Sequence, residues 1–378
     1  MGDPKEDSAA SQLARITSDG KTPAEENPWY VLATIAGEQS GEGIVFHLAG
    51  KNRAYWNAWA GQHLSAEDKA EIKDAFGRSL FQGTPEWSEV EAEVTEAFTK
   101  RLPGLDLPDP AETVDFEDVA FSAPVSFDRF YFPAYADFEN ATFSEYASFI
   151  SAGFSGPVKF VSTKFSGRAV FTDASFDAPC NFREAKFKVA YPDLEGTLLH
   201  AKTNISAEDD FWPKTGKQNA DPEWEDEPQT DKQAAQSCAH LRQNMAAQGL
   251  PEAAHFFFRR EMTHRSRISR RWERPFYTLY RGVEYGYGVW QPVAGLIATW
   301  SIGWLALWCW GCLSGWTAAG LSFSNIFRFF GFQRVHFEPD LINSLPFPLE
   351  VMTAVQTVVG FVLLFLLGLG LRNRFRLK

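Results

Sequence analysis

A cysteine pair, an acidic triplet and seven histidines are the side chains whose types are suited to chemistry. Cys309 and Cys312 stand in C-x-x-C spacing, which serves redox or zinc chemistry where a thiolate is stabilised. Here they lie in a charge-free stretch beside Trp308 and Trp310, with no further Cys or His near to complete a metal site. A reactive thiolate also needs electropositive, partly exposed surroundings, so packing is the better reading. Glu208, Asp209 and Asp210 offer oxygen ligands for a divalent cation. They sit, however, in an acidic, proline-containing run that reads as a solvated loop. The histidines (His47, His63, His200, His240, His255, His264, His336) are scattered. No G-x-S-x-G, Walker A, H-E-x-x-H or dinucleotide glycine pattern occurs. These residues predict no enzyme, no cofactor and no metal.

Guanidinium is the functional group present in quantity, and its placement is one-sided. The chain carries a formal charge of −12, made of −21 over residues 1–231 and +9 over residues 232–378. Arg259, Arg260, Arg265, Arg267, Arg270, Arg271, Arg274 and Arg281 precede a charge-free stretch at 293–313. Arg372, Arg374, Arg376 and Lys378 follow a second at 351–371, whose most polar member is Gln356. Each stretch matches the thickness of a hydrocarbon core. The connecting segment 314–350 holds only Arg328 and Arg334. By the positive-inside rule both basic flanks are cytoplasmic and the loop is external, at the inner membrane of a bacterium. Anionic lipid headgroups are then the expected partner of the basic residues, at about 1 kcal/mol each. No nucleic acid is expected. Trp300, Trp304 and Trp308 form a helical stripe, for packing, lipid or an oligomer contact. The aromatic run 323–332 lies in the outer interface or re-enters as a pore helix, although no T-x-G-Y-G filter is present. The polar N-terminus MGDPKEDSAAS has no apolar core and reads as no secretory signal. Four cysteines make no disulfide framework.

Behind these groups stands a scaffold of phenylalanines: Phe116, Phe121, Phe127, Phe132, Phe138, Phe143, Phe149, Phe154, Phe160, Phe165, Phe171, Phe176, Phe182 and Phe187. The steps between them alternate five and six, so the period is eleven and seven copies stand in a row. Fixed-period self-similarity marks a repeat architecture. Two residues before each Phe stands a second inward position, usually Ala, Val or Cys, with Phe130 and Thr163 the exceptions. An apolar pair at i−2 and i followed by a polar corner is strand patterning, not helix. Pro124, Pro133, Pro157 and Pro179 lie at or beside the corners, where a missing N–H costs little. All fourteen rings are expected in the core.

Units such as Ala141-Thr142-Phe143, Ala147-Ser148-Phe149 and Ala152-Gly153-Phe154 resemble the pentapeptide repeats, A-x-[L/F]-x-x. That resemblance implies a right-handed, quadrilateral β-helix with the central residue and its i−2 partner inside. Fourteen faces imply three and a half coils, or four if 192–200 adds a degenerate turn. The extra residue in every second repeat departs from the plain five-residue rule. Over its full length the chain looks like a group of bacterial pentapeptide-repeat proteins with a two-span C-terminal domain. The shared signals include NPWYVLAT, LRQNM, FFFRRE, Tyr285-Gly286 and LRNRFRLK.

The expected layout is a disordered tail (1–27), a mostly helical N-terminal domain (28–111), the repeats (112–205) and an acidic linker (206–230). A basic helical hairpin and juxtamembrane segment (231–288), a first span (289–316), an external loop (317–349), a second span (350–371) and a basic tail (372–378) follow. Within the N-terminal domain, Ser65 with Asp68 and Thr84-Pro85 are helix starts. Ile72 with Phe76, and Val90, Val94 and Phe98, mark apolar faces. The N-terminal domain and the hairpin at 231–268 are expected to cover the two ends of the stack, because stacked repeats expose apolar surface there. Three functions remain. The first is a membrane-tethered scaffold binding a cytoplasmic protein. The second is an oligomeric pore or effector gated by its soluble part. The third is a DNA mimic acting on a topoisomerase, which the near-neutral repeats disfavour.

Overall fold

The computed structural model describes residues 20–40, 43–74, 76–214, 229–282, 284–311, 313–332, 336–337 and 345–376. The chain divides into two compact units, 1–268 and 269–378.

In the first unit the repeats wind into a β-solenoid of about four coils, closed by four parallel ladders. One five-stranded ladder runs from Thr22–Pro23 through Val119–Phe121, Thr142–Phe143 and Lys164–Phe165 to Lys186–Phe187. The other runs from Val114–Asp115 through Ala136–Asp137, Val158–Lys159 and Cys180–Phe182 to Asn204–Ile205. Two three-stranded ladders complete the stack. Partners lie one coil apart, Phe143 opposite Phe165 and Phe132 opposite Phe154. The degenerate stretch after Phe187 does add a turn, through bridges from Val170 to Asp193 and from Ser175 to Leu198.

All fourteen phenylalanines are buried, none above 5 % exposed. They form four columns in which successive rings stack 4.5–5.2 Å apart. That spacing is set by the backbone, because paired strands lie ~4.7–4.9 Å apart. Neighbouring columns meet edge to face, as with Phe149 and Phe160 at 85°. Such contacts add to the transfer free energy of each ring.

The corners are of two kinds. In every five-residue step the second residue after Phe adopts φ between 54° and 60°: Asp118, Arg129, Asn140, Ser151, Ser162, Asp173 and Glu184. None is glycine, so each left-handed corner carries a backbone cost of about 1–3 kcal/mol that the stacked rings must offset. In the six-residue steps Gly156 and Gly167 lie so close to the backbone of Ala134 and Glu145 that a Cβ would overlap it.

The first coil leaves one edge of every ladder unpaired, and the N-terminal segment supplies partners at three of them. Part of the stretch expected as a disordered tail, 1–27, is instead ordered: Thr22–Pro23 is a strand, and Ala24–Glu26 is a 3-10 turn with Ala24 buried. A two-residue strand has no periodicity to betray it; only the open edge defines it. Residues 1–19 lie outside the described residues. Helix α1 (Pro28–Ala33) is capped by Asn27, whose amide also donates to Asp115 O at 2.9 Å. On α2 (Phe46–Ala60), Trp56 stacks 5.2 Å from Phe130 and donates its indole N–H to Tyr131 O at 2.8 Å. Asn57 accepts from Tyr131 N at 3.0 Å and donates to Arg129 O and Leu80 O at 3.0 and 3.1 Å. One amide side chain thus replaces the missing strand. The Asn57→Leu variant leaves three buried backbone groups unpaired, at roughly 1–3 kcal/mol each. It is expected to lower the stability of the first coil by at least ~3 kcal/mol, read as faster amide exchange at 129–132 with little change at 160–187.

Helix α3 (Ala66–Glu71) starts with the Ser65–Asp68 capping box, but the chain turns at Ile72 and Phe76 is 65 % exposed under Arg78. The expected Ile72–Phe76 face is therefore absent. Helix α4 (Trp87–Arg101) begins two residues beyond Pro85 and buries Val90, Val94 and Phe98. Below the last coil, α5 (Asp231–Ala247) buries Ala234, Cys238, Leu241 and Met245, and pairs with α6 (Pro251–Ile268). Trp212 stacks 5.2 Å from Phe187 and extends that column by one ring, with Phe257 edge-on at 4.9 Å.

In the second unit, α7 (Arg274–Gly282) leads to a kink at Glu284–Gly286, where Tyr285 and Gly286 have positive φ. Then come α8 (Trp290–Cys309), α9 (Gly315–Ile326) and α10 (Phe347–Arg376). Helices α8 and α10 are long and apolar enough to cross a membrane. The connection between them is not a plain external loop. Capped by Ser314, α9 turns back along α8 and packs on α10 as well.

Candidate functional site

The basic residues grouped together in sequence part company in the fold. Arg260 is a correction to the membrane-surface set: it is 6 % exposed. Its guanidinium donates to Tyr191 Oη and Pro213 O, both at 2.8 Å, and to Asp209 Oδ1 at 2.6 Å. It also lies 4.8 Å over the Phe256 ring. It ties the last coil, the Asp209–Phe211 turn and α6 together, and it takes up one carboxylate of the acidic triplet. Residues 215–228 of the expected linker are outside the described residues. Arg265 pairs with Glu261 at 2.8 Å and Arg267 with Asp231 at 3.2 Å, while Arg259 is exposed on α6. Arg270, Arg271, Arg274, Arg281 and Arg372 are exposed in the second unit. Arg374 and Arg376 lie on the last turn of α10, their side chains outside the described set, as is Lys378.

Beside Arg260, His264 Nδ1 lies 2.7 Å from Asp231 Oδ1, and its Nε2 is buried with no hydrogen-bond partner among the described residues. That arrangement suits a neutral ring donating from Nδ1, since a second N–H would have nothing to accept it. Burial holds the imidazole below its ordinary pKa, outweighing the opposite pull of Asp231. With the folded value depressed, the unfolded chain takes up the proton first as pH falls. The stabilisation is therefore complete above about pH 6.5 and is lost as pH drops through the folded value. Acidifying from pH 7 to 5 is expected to speed amide exchange in α5 and α6. The His264→Gln variant should flatten that dependence.

Buried thiols offer no nucleophile. Burial pushes Cys180 and Cys238 up, away from thiolate character. Cys309 is exposed, and Cys312 lies outside the described residues.

The densest polar cluster among the described residues of the second unit lies between its apolar helices. Gln356 on α10 is 4 % exposed, and Ser322 and Asn325 on α9 are fully enclosed. Gln356 Nε2 donates to Ser322 Oγ at 2.6 Å and to Ser322 O and Thr299 O at 3.2 Å. Its Oε1 accepts from Asn325 Nδ2 at 3.2 Å. Ser322 Oγ in turn donates to Trp300 O at 2.8 Å. The indoles of Trp300 and Trp304 donate to Ala319 O and Gly315 O, at 3.1 and 3.0 Å. The tryptophan stripe is thus a seam that locks α9 onto α8, with Trp308 left half exposed. Gly303 makes room for the knot, since a Cβ there would overlap Gln356 and Ser322. Gln356 stood out in the sequence; Ser322 and Asn325 did not, because a twelve-residue apolar helix is too short to read as a membrane element.

A β-solenoid with helical ends, followed by two apolar helices, defines a repeat protein with a C-terminal membrane region. Residues 138–186 match the family described as Pentapeptide repeats (9 copies), so the solenoid of this chain is built of pentapeptide repeats. No curated protein and no solved structure matches it.

Proposed function

We propose that this protein is a non-enzymatic scaffold, its solenoid a rigid protein-binding module held at the cytoplasmic face of a bacterial inner membrane. The observation that carries the reading is the separation of roles along the chain. Every ring of the ladder faces inward, which leaves outward residues such as Lys164 and Lys186 for a partner protein. The exposed Trp272 and Phe276 beside Arg270, Arg271, Arg274 and Arg281 suit a surface of anionic headgroups. Capture of the full-length chain from gently solubilised membranes tests this. A defined partner should co-purify and be lost on Lys164→Glu/Lys186→Glu. An equal yield with that variant, or reproducible purification alone, counts against it.

A second reading, an oligomeric pore, is favoured by one feature: α9 turns back between two apolar helices and carries a buried polar knot. Polar groups at that depth line pathways or hold discontinuous helices in place.

A further inference from the structure

Helix α9 is twelve residues long, about 18 Å at 1.5 Å per residue. It therefore reaches only half-way along its neighbours. Its last residue, Ile326, lies against Gly360, where a Cβ would come within 3.0 Å of the Ile326 backbone. Gly360 is at the middle of the Phe347–Asn373 stretch. With α8 and α10 across a bilayer, the turn that follows α9 sits near the centre of the apolar layer.

That turn contains Arg328. The side chain is exposed, and no ion pair engages it among the described residues. It borders an open hollow of about 770 Å³ together with Phe329, Thr357, Val358, Phe361 and Phe365. Phe329 is 84 % exposed and Phe361 54 %. Arginine keeps its charge in such a setting rather than losing a proton. Charged side chains at this depth face a bundle interior or a water-filled cavity, because hydrocarbon does not solvate them. One hairpin with one half-helix cannot enclose water, so the hollow is incomplete in a single chain. Further copies would cover its aromatic rim and bring their own Arg328 residues to the same level. Closed symmetry is the ordinary outcome of such a repeated contact, and a ring of arginines selects anions.

We infer that copies of this chain assemble around the turn after α9, and that Arg328 lines a water-filled path for small inorganic anions. The inference rests on the pore reading and names its ion class and selecting residue. The test is the purified full-length protein in planar bilayers under a potassium chloride gradient. The wild type should reverse on the chloride side. Arg328→Gln should lower the chloride-to-potassium permeability ratio at least several-fold, and Arg328→Glu should move reversal to the potassium side. Arg328→Lys should keep chloride preference, which guards against variants that merely fail to fold. Conductance that ignores the charge at 328 overturns the assignment of Arg328 while leaving a pore. A monomer in detergent with no conductance overturns the pore reading as well.

Discussion

Replacing Phe149 by Asp is expected to unfold the solenoid. Phe149 is fully enclosed, stacked 5.2 Å from Phe127 and 4.9 Å from Phe171, with Phe138 and Phe160 edge-on at 5.8 Å. Truncating such a ring to Ala costs about 3–5 kcal/mol through lost transfer energy and the cavity left behind. A carboxylate adds the penalty of a buried charge with no cation at hand, so it must take up a proton or admit water. The total stability of a domain is only about 5–15 kcal/mol, so the second term decides the outcome. In detergent the full-length Phe149→Asp variant should lose protease resistance across 112–205, whereas Phe149→Leu should keep it. Position matters, because each coil leans only on its neighbours. Phe187→Asp, which has Trp212 on one side, should fray the last coil and leave 116–165 protected. Unchanged protection in Phe149→Asp would show that something other than the ring columns holds the coils.

The ladder was legible because its signal is local and repeated: fourteen large rings at alternating five- and six-residue steps. What covers it was legible only in outline. Asn57 reads as one polar residue in a helix; its task appears once the open edge at Tyr131 is in place. Trp212 follows Phe211 in an acidic run, and its stacking on Phe187 is non-local. The left-handed corners recur every eleven residues, yet Asp118, Arg129, Asn140, Ser151 and Glu184 share no side-chain type, and no glycine marks them. Arg260 was open to better reading. Phe256, Phe257, Arg260, Glu261 and His264 fall at helical spacing on one buried face of α6. Its place in the run of arginines suggests the membrane, whereas its place on the buried face of α6 does not.

The Gly303→Leu variant is expected to expel α9 from between α8 and α10. Two effects contribute. Loss of the knot's hydrogen bonds costs about 0.6 kcal/mol for each of the four that Gln356 makes, roughly 2 kcal/mol together. Forcing a branched side chain into a filled site costs about 1–3 kcal/mol more. Gly303→Leu meets both costs, because the clash also drives Gln356 from its partners. Gln356→Leu, which removes bonds and adds little volume, should destabilise the second unit by less than Gly303→Leu. The two sites share one space, so their effects should not add. Gly303→Ala with Gln356→Ala should recover part of what Gly303→Ala alone loses, because the shortened residue at 356 vacates the volume the new methyl needs. Unfolding of the full-length variants in mixed detergent micelles, followed by accessibility of a cysteine introduced at Ala318, reads both quantities. If Gly303→Leu left position 318 as protected as in the wild type, α9 would not be held by the Gln356–Ser322–Asn325 knot. The polar groups of α9 would then be passive filler between two apolar helices rather than the element that binds the three together.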